Sequence, residues 1–217
     1  MAEVENSKDL ISVLWSGADI LRSKMDANEY KDYLLGIVFY KYLSDSFLIK
    51  VYDLIYDERP ENLMVALDAY REALEDESAG ELQEQLRSEF HYVIEPELTY
   101  TCFADEARNN AFQREQLQKA FNNIEQSDPL FADLFTDIDL YSNRLGTGDQ
   151  KQSDTIANLI LEIDKADLLD SDAEILGNAY EYLIGQFASE TGKKAGEFYT
   201  PQAVSKILTK IAIAGQE

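Results

Sequence analysis

Apolar residues recur with a helical period along most of this 217-residue chain. Near the amino terminus they fall at i, i+3, i+4, i+7, i+8 and i+11, a spacing that places them on one face of a helix. These residues are Leu10, Val13, Leu14, Gly17, Ala18 and Leu21. We expect Ser7 or Asp9 to cap this first helix, because short polar side chains accept hydrogen bonds from free N–H groups there.

The run after Asp26 is apolar on more than one face, which is typical of a central, buried helix. Ser44-Asp45-Ser46 interrupts it, and we expect these residues to bend or break the helix. Pro60 suits the first turn of the next helix. The apolar stripe of that helix comprises Leu63, Ala66, Leu67, Tyr70 and Leu74.

A Glu/Gln-rich helix is predicted next, in GELQEQLRSEF. The stretch HYVIEPELTYTCF that follows is short, β-branched and aromatic, with Pro96 at its centre. This composition predicts extended backbone and at most one small pair of strands. Helix is expected again from about Asp105 to Gln126, where Ser-Asp-Pro ends it.

After a long connection, the pattern predicts a helix from about Thr155 to Lys165. Ser171 and Glu174 then have the spacing of a capping box, which introduces another amphipathic helix. Its apolar face comprises Leu176, Ala179, Tyr180, Leu183, Ile184 and Phe187. The polar stretch ASETGKKAG follows as a linker. We therefore predict a mainly α-helical domain over residues 1–188 and a new structural unit from residue 189 to 217.

The composition is ordinary for a globular protein, with 45% hydrophobic and 28% charged residues. No apolar run approaches the roughly 20 residues that cross a bilayer. The start, MAEVENSKDL, is acidic and polar, unlike a signal peptide. The single cysteine, Cys102, excludes an internal disulfide and fits a reducing, cytoplasmic compartment.

The formal net charge is −23, from 42 acidic and 19 basic side chains. Because nucleic-acid affinity comes largely from neutralised phosphates, most of the chain is expected to repel DNA. Thr191 to Lys210 is the exception, with four lysines, one acidic residue and a local charge of +3. A phosphate-facing role and the ordinary preference of helix carboxyl ends for lysine explain this segment equally well.

Several kinds of site are excluded by residue type. One histidine and one cysteine cannot form a zinc site from those ligands. His91 lies among aromatic residues without a placed nucleophile, so we interpret it as structural. Gly146-Thr147-Gly148 lacks the other residues of a dinucleotide or phosphate loop and is interpreted as a turn. No catalytic residue and no metal ligand are predicted.

The segment Gly196 to Pro201, GEFYTP, has the features of a ligand-binding loop that leads into a helix. Thr200 suits the N-cap and Pro201 the first helical position. The free N–H groups of a helix start favour a carboxylate or phosphate. Phe198 and Tyr199 could flank a flat ring, and Glu197 could accept hydrogen bonds from an amine or hydroxyl. A capped helix with two packed aromatic residues explains the same segment.

The chain resembles the amino-terminal part of the modification (M) subunit of type I restriction–modification systems, an N6-adenine DNA methyltransferase. Two stretches carry the resemblance. LWSGADILRSKMDANEYKDYLLGIVFYKYLSD is similar to the opening helices of that family. DAEILGNAYEYLIGQFASETGKKAGEFYTPQAVSKIL is similar to the junction with its catalytic domain, and the order and spacing of LGNAYEYLI and GEFYTP are specific to the family. The middle of the chain matches only in helix pattern.

The resemblance implies a helical amino-terminal domain followed by a Rossmann-like domain that binds S-adenosylmethionine. It also implies that cofactor contacts come from the residues Glu197, Phe198, Tyr199, Thr200, Pro201 and Gln202. Partners implied by the family are a specificity (S) subunit, a second M subunit and restriction (R) subunits, with DNA bound by the assembled complex. Such enzymes flip the target adenine out of the duplex.

The chain departs from the family pattern in its chemistry. The glycine-rich cofactor loop D-P-x-x-G-x-G and the adenine-binding motif N-P-P-Tyr/Phe are absent from the sequence. Ser127-Asp128-Pro129 is followed by Leu-Phe, without glycine. We therefore expect an amino-terminal piece of the subunit that ends in the first helix of the catalytic domain and is inactive alone. A stand-alone acidic interaction module, or DNA mimic, is the alternative, and a small-molecule-binding helix bundle is a weaker one.

Overall fold

A computed structural model describes residues 2–166, Gly177 and residues 202–214. These residues form eight α-helices and two 3-10 helices, and they contain no strand. The α-helices are α1 (Ala2–Arg22), α2 (Ala27–Tyr56), α3 (Leu63–Glu75), α4 (Ala79–Phe90), α5 (Tyr100–Arg108), α6 (Arg114–Ser127), α7 (Asp149–Ile163) and α8 (Gln202–Ala214). The 3-10 helices are Pro96–Leu98 and Pro129–Phe131. The mainly α prediction is confirmed.

Helix α2 is the central element, and α1, α3, α4, α5 and α7 all pack against it. Its 30 residues are apolar on several faces, as the sequence pattern indicates. The predicted break at Ser44-Asp45-Ser46 is wrong, because the helix continues through it. Ser44 and Asp45 are instead buried. The Ser44 hydroxyl accepts a hydrogen bond from the Tyr100 amide, and Asp45 accepts one from Lys41.

An aromatic cluster fills the core between α2, α5, α6 and the connection before α7. The rings of Phe121 and Phe135 stack with centroids 4.1 Å apart, and Tyr40 meets both edge-on. The Tyr40 hydroxyl donates a 2.6 Å hydrogen bond to the carbonyl of Leu98. Burial raises the pKa of Tyr40 well above its usual value, so this donor stays protonated.

The first apolar stripe is confirmed, since all six predicted residues of α1 are buried. The predicted cap at Ser7 or Asp9 is wrong, because α1 begins at Ala2. Pro60 also does not open the next helix. Asn62 caps α3 instead, and its side-chain oxygen accepts a 3.0 Å hydrogen bond from the amide of Val65.

The stretch predicted to be extended divides into two parts. Residues 92–95 have no regular structure, and no strand pair forms in the described chain. Helix α5 begins earlier than predicted, at Tyr100, because the Thr99 hydroxyl accepts a hydrogen bond from the amide of Cys102. The helix predicted from Asp105 to Gln126 is in fact two helices, separated at residues 109–113, where Asn110 has a φ of 55°.

Helix α7 begins at Asp149, six residues before the predicted Thr155. Gly148 immediately precedes it with a φ of 91°, a conformation that favours glycine. The helix predicted from Ser171 and the linker after it lie outside the described residues. The domain division at residues 188 and 189 lies there too and stays a prediction. None of the described helices is long and apolar enough to cross a membrane.

Candidate functional site

The predicted cofactor-binding segment is described only at its end. Glu197, Phe198, Tyr199, Thr200 and Pro201 lie outside the described residues, so their role stays a prediction. Gln202 is the first residue of α8. The described end of this segment is therefore helical.

The larger apolar side chains of helix α8 are exposed. The exposed fractions of Val204, Ile207, Leu208 and Ile211 are 43%, 57%, 57% and 65%. These four side chains therefore form an exposed apolar stripe on α8. An exposed apolar stripe of this regularity belongs against another structural element.

A cluster of charged residues lies where α2, α5 and α7 meet. Lys41 and Asp45 are buried in it, and Arg108 at its edge is exposed. The ammonium group of Lys41 is 2.6 Å from a carboxylate oxygen of Asp45 and 3.7 Å from one of Asp164. Arg108 also pairs with Asp164. Two cations and two carboxylates therefore form a balanced, closed network. The cluster therefore joins three helices through ion pairs.

Tyr100 joins this cluster to the backbone of two helices. Its ring centroid lies 4.9 Å from the Lys41 ammonium group, a cation–π contact. Its hydroxyl donates a 2.8 Å hydrogen bond to the carbonyl of Ile160, and its amide donates one of 2.8 Å to the Ser44 hydroxyl. Burial first, and then the negative charges of Asp164 and Asp45, raise the pKa of Tyr100 well above its usual value. The phenol is therefore a permanent donor, not a proton-transfer group.

A second polar cluster holds the opposite end of α7. Arg114, the first residue of α6, donates to the side chain of Gln152 and pairs at 2.7 Å with Asp149. Its guanidinium carbon lies 4.6 Å from the ring centroid of Tyr141. The Gln152 amide group also donates to the carbonyls of Tyr141 and Ser142. Polar contacts therefore fix both ends of α7 to the neighbouring helices.

Neither cluster was identified from the sequence, although one signal was available. Lys41 and Asp45 are four residues apart in a helix that is apolar on several faces. A charged pair at i, i+4 inside such a helix indicates a buried ion pair better than a break. Arg108 and Asp164 lie far apart in sequence, so spacing alone could not bring them together.

His91 lies at the end of α4, and its interpretation as structural stays a prediction. His91 ends α4 in the left-handed conformation, with a φ of 65°. Its Nδ1 atom lies 3.2 Å from a carboxylate oxygen of Asp128, and the side chain is exposed. Over the part of the chain that the structure describes, no group of three or more histidine, cysteine or acidic side chains could hold a metal ion.

These features define a helical domain whose polar clusters join its helices to one another. The chain belongs to the family of the HsdM N-terminal domain, whose model matches residues 10–163. A second family model, N-6 DNA Methylase, matches residues 171–217. The recognised resemblance to the type I modification subunit is thereby confirmed.

The sequences of related proteins support this family assignment. The chain is 29% identical to the Type I restriction enzyme MpnII methylase subunit of Mycoplasma pneumoniae, over 94% of this chain and 39% of that protein. It is 31% identical to the MjaVIII methylase subunit of Methanocaldococcus jannaschii, over 94% and 32%. The chain therefore spans about a third to two fifths of the length of these relatives.

A solved structure has the same fold. The crystal structure of the type I restriction-modification system methyltransferase subunit from Streptococcus thermophilus superposes with a TM-score of 0.88 at 50% sequence identity. The match covers 96% of this chain and 44% of that one.

Proposed function

We propose that this chain is the amino-terminal part of the modification subunit of a type I restriction–modification system. The observation that carries the proposal is the order of two family matches in one chain, the HsdM N-terminal domain over residues 10–163 and N-6 DNA Methylase over 171–217. The 50% identity to the Streptococcus thermophilus subunit supports the same assignment.

The whole subunit would transfer a methyl group to N6 of adenine in DNA. It would act in the cytoplasm, in a complex with a specificity subunit, a second modification subunit and restriction subunits. The helical body would supply protein contacts within that complex. A formal charge of −23 supports this role, because an acidic surface attracts basic protein surfaces and repels phosphates.

S-adenosylmethionine would contact the chain through Glu197, Phe198, Tyr199, Thr200, Pro201 and Gln202. The donor set suits it, since α8 begins at Gln202 and the free amides of a helix start favour the carboxylate of the methionine end. The two aromatic side chains would enclose a flat ring, and Glu197 would accept hydrogen bonds. The bound cofactor supplies an activated methyl group.

The chain alone is proposed to lack methyltransferase activity. The sequence contains neither D-P-x-x-G-x-G nor N-P-P-Tyr/Phe. The exposed stripe of α8 agrees with a helix whose packing partner is supplied by further chain. Residues 1–188 would be the helical domain and residues 189–217 the first segment of the catalytic domain.

A chimera tests this proposal. Residues 1–217 replace the matching region of the Streptococcus thermophilus subunit, and the chimera is purified with the specificity subunit of that system. We expect transfer of tritiated methyl from S-adenosylmethionine to DNA by the chimera, and none by the 217-residue chain.

Methylation by the isolated chain would contradict the proposed inactivity. A folded chimera that binds the specificity subunit but neither binds S-adenosylmethionine nor methylates DNA would contradict the assignment of residues 189–217. It would favour the alternative, an acidic interaction module.

A further inference from the structure

An open cleft lies between the end of α2 and the helices α3 and α4. Its volume is about 480 Å³, and eleven residues line it. The floor is apolar and consists of Leu54, Ile55, Ala69, Ala73 and Leu82. Most of these side chains are only half-buried, and Tyr56 at the edge is 49% exposed. The floor can therefore bury further apolar surface.

The rim of this cleft is acidic. Glu72, Asp76 and Glu81 line it, all three are exposed, and none of the eleven lining residues is basic. The cleft also lies in a strongly acidic part of the chain, since residues 53–89 contain 12 acidic and 3 basic side chains. Unbalanced carboxylates at this density favour a cationic partner.

The helix ends at the cleft strengthen this negative field. The last turns of α2 and α3 contribute to the lining, and neither contains a basic residue. The carboxyl end of a helix has partial negative charge, which a nearby lysine or arginine normally offsets. The amino end of α4 is the exception, but Asp76 already accepts hydrogen bonds from the amide and hydroxyl of Ser78 there.

Only a narrow face of helix α4 packs against the rest of the described structure. Leu86 is its only buried residue, and Leu82 and Phe90 are half-buried. Its stripe is therefore incomplete on the side that faces the cleft. An apolar side chain inserted beside Leu82 and Ala73 would complete it.

We propose that this cleft docks a basic amphipathic helix of a partner protein. One or two apolar side chains of the partner would enter the floor at Leu54, Ala73 and Leu82. Lysine or arginine side chains one turn away would pair with Glu72 and Glu81. Nucleic acid is excluded by the charge, and the inference stands whether or not the catalytic assignment of residues 189–217 holds.

Binding of a model helix to the 217-residue chain tests the inference. The probe is a labelled 18-residue peptide with leucine at i, i+3, i+4 and i+7 and lysine elsewhere, compared with its leucine–glutamate counterpart. We expect the lysine peptide to bind in fluorescence anisotropy and the glutamate peptide not to bind. Methyl resonances of Leu54, Ile55, Ala73 and Leu82 should shift in the complex.

Matched variants distinguish binding in the cleft from attraction to the acidic chain as a whole. Glu72→Gln with Glu81→Gln should weaken binding about five- to tenfold, the loss expected for two exposed ion pairs. Glu75→Gln with Glu84→Gln makes the same charge change on the same two helices outside the lining and should weaken binding less than twofold. Ala73→Trp, or the smaller Ala73→Leu, should abolish binding by filling the floor.

Three results in the peptide experiment would overturn the inference, and a fourth concerns the chain alone. The three are equal weakening by the two glutamine pairs, unshifted methyl resonances in the cleft, and full binding by folded Ala73 variants. Self-association of the chain through the cleft, seen by sedimentation velocity and abolished by Ala73→Trp, would assign the cleft to a second copy instead and would also overturn it.

Discussion

The ammonium group of Lys41 lies 2.6 Å from the Asp45 carboxylate, one turn further along the same helix, and both side chains are almost completely buried. A sequence stretch that looks like a helix break is therefore part of the helix interior. Asp164, which follows α7, shares the same cation. The pair thus links α2 to the end of α7. Helix α7 is the last described helix before residues 171–217, which match the N-6 DNA Methylase family.

Removing one partner of this pair should be strongly destabilising. Lys41→Met removes the cation that the buried Asp45 carboxylate pairs with at 2.6 Å, and we expect the free energy of unfolding to fall by about 3–5 kcal/mol. Replacing both residues, as Lys41→Met with Asp45→Leu, should recover much of the loss, because no charge then remains unpaired at that pair. Urea denaturation followed by circular dichroism measures both variants.

The control is a pair on the surface of the same helix. Lys50 and Asp53 lie 3.0 Å apart, but their side chains are 30% and 45% exposed. Lys50→Met should have a much smaller effect on the free energy of unfolding, because exposed ion pairs contribute little. Equal effects of Lys41→Met and Lys50→Met would show that the buried pair does not stabilise the fold.

Ser44 holds the start of α5 from inside α2. Its hydroxyl accepts the hydrogen bond of the Tyr100 amide at 2.8 Å, and both residues are buried. Ser44→Ala leaves that amide without its acceptor, which should lower the free energy of unfolding by about 1–3 kcal/mol. Ser46→Ala, on the half-buried neighbour, is the control and should have a smaller effect in the same denaturation experiment.

Gly36 permits a close approach between α2 and the connection before α7. A Cβ atom at Gly36 would lie 2.1 Å from Cδ1 of Ile138. Gly36→Ala should therefore force the end of the Ile138 side chain to move, and this cost should cancel or exceed the better helix propensity of alanine. Ile138→Val removes the clashing atom, so it should lessen the effect of Gly36→Ala in the double variant.

Gly80 in α4 provides the opposite case. A Cβ atom there would meet no other atom within 4 Å. Gly80→Ala should raise the free energy of unfolding by up to about 1 kcal/mol. If both alanine variants changed stability in the same direction, close packing at Gly36 would be refuted.

Tyr70 should make stability fall in alkali. Burial first, and then the charges of Glu95 and Glu97, raise its pKa from 10.0 to about 12. The unfolded chain therefore loses the phenolic proton at a lower pH than the folded chain does. The contribution of this proton to the free energy of unfolding is complete below pH 10 and is lost as the pH rises towards 12. Tyr70→Phe should be as stable as the parent at pH 7, because the buried hydroxyl has no hydrogen-bond partner among the described residues. Above pH 10 it should be more stable.

Tyr33 is the matched comparison in a pH series of urea denaturation. Its pKa is also raised to about 12, but its hydroxyl donates a 2.6 Å hydrogen bond to the Asp139 carbonyl. Tyr33→Phe should therefore lower stability by about 1 kcal/mol at pH 7. An alkaline loss that persists unchanged in both phenylalanine variants would show that neither phenol causes it.

The helical body could be predicted from periodicity because each amphipathic stripe is a local property. The stripes of α1 and α3 were placed correctly from the spacing of residues such as Leu14 and Leu67. Helix ends were less predictable, since caps such as Asn62 and turns such as Gly148 compete with neighbouring residues that look equally suitable. The tyrosine that starts α5 lies in a stretch whose β-branched and aromatic composition favours a strand, and its burial against α2 and α7 prevails over that preference.

The polar clusters could not be predicted from sequence spacing, because they depend on contacts between residues far apart in the chain. Arg108 and Asp164 are 56 residues apart, and Arg114 and Gln152 are 38 apart. The cofactor segment was predicted from helix-start chemistry and from resemblance, and its residues before Gln202 still await a structural test. The family, by contrast, followed from motif order along the chain and was confirmed.

The apolar face of α8 should matter for catalysis and not for the stability of the helical body. Ile211 is 65% exposed, so Ile211→Lys should leave the free energy of unfolding of the 217-residue chain within about 0.5 kcal/mol of the parent. In the chimera with the Streptococcus thermophilus subunit, the same change would bury an unpaired ammonium group where the catalytic domain covers the helix. Methyl transfer should then fall at least tenfold, with Lys210→Gln, on the same helix, as the control that keeps activity. Full activity of a chimera with Ile211→Lys would show that this face stays uncovered in the complete subunit.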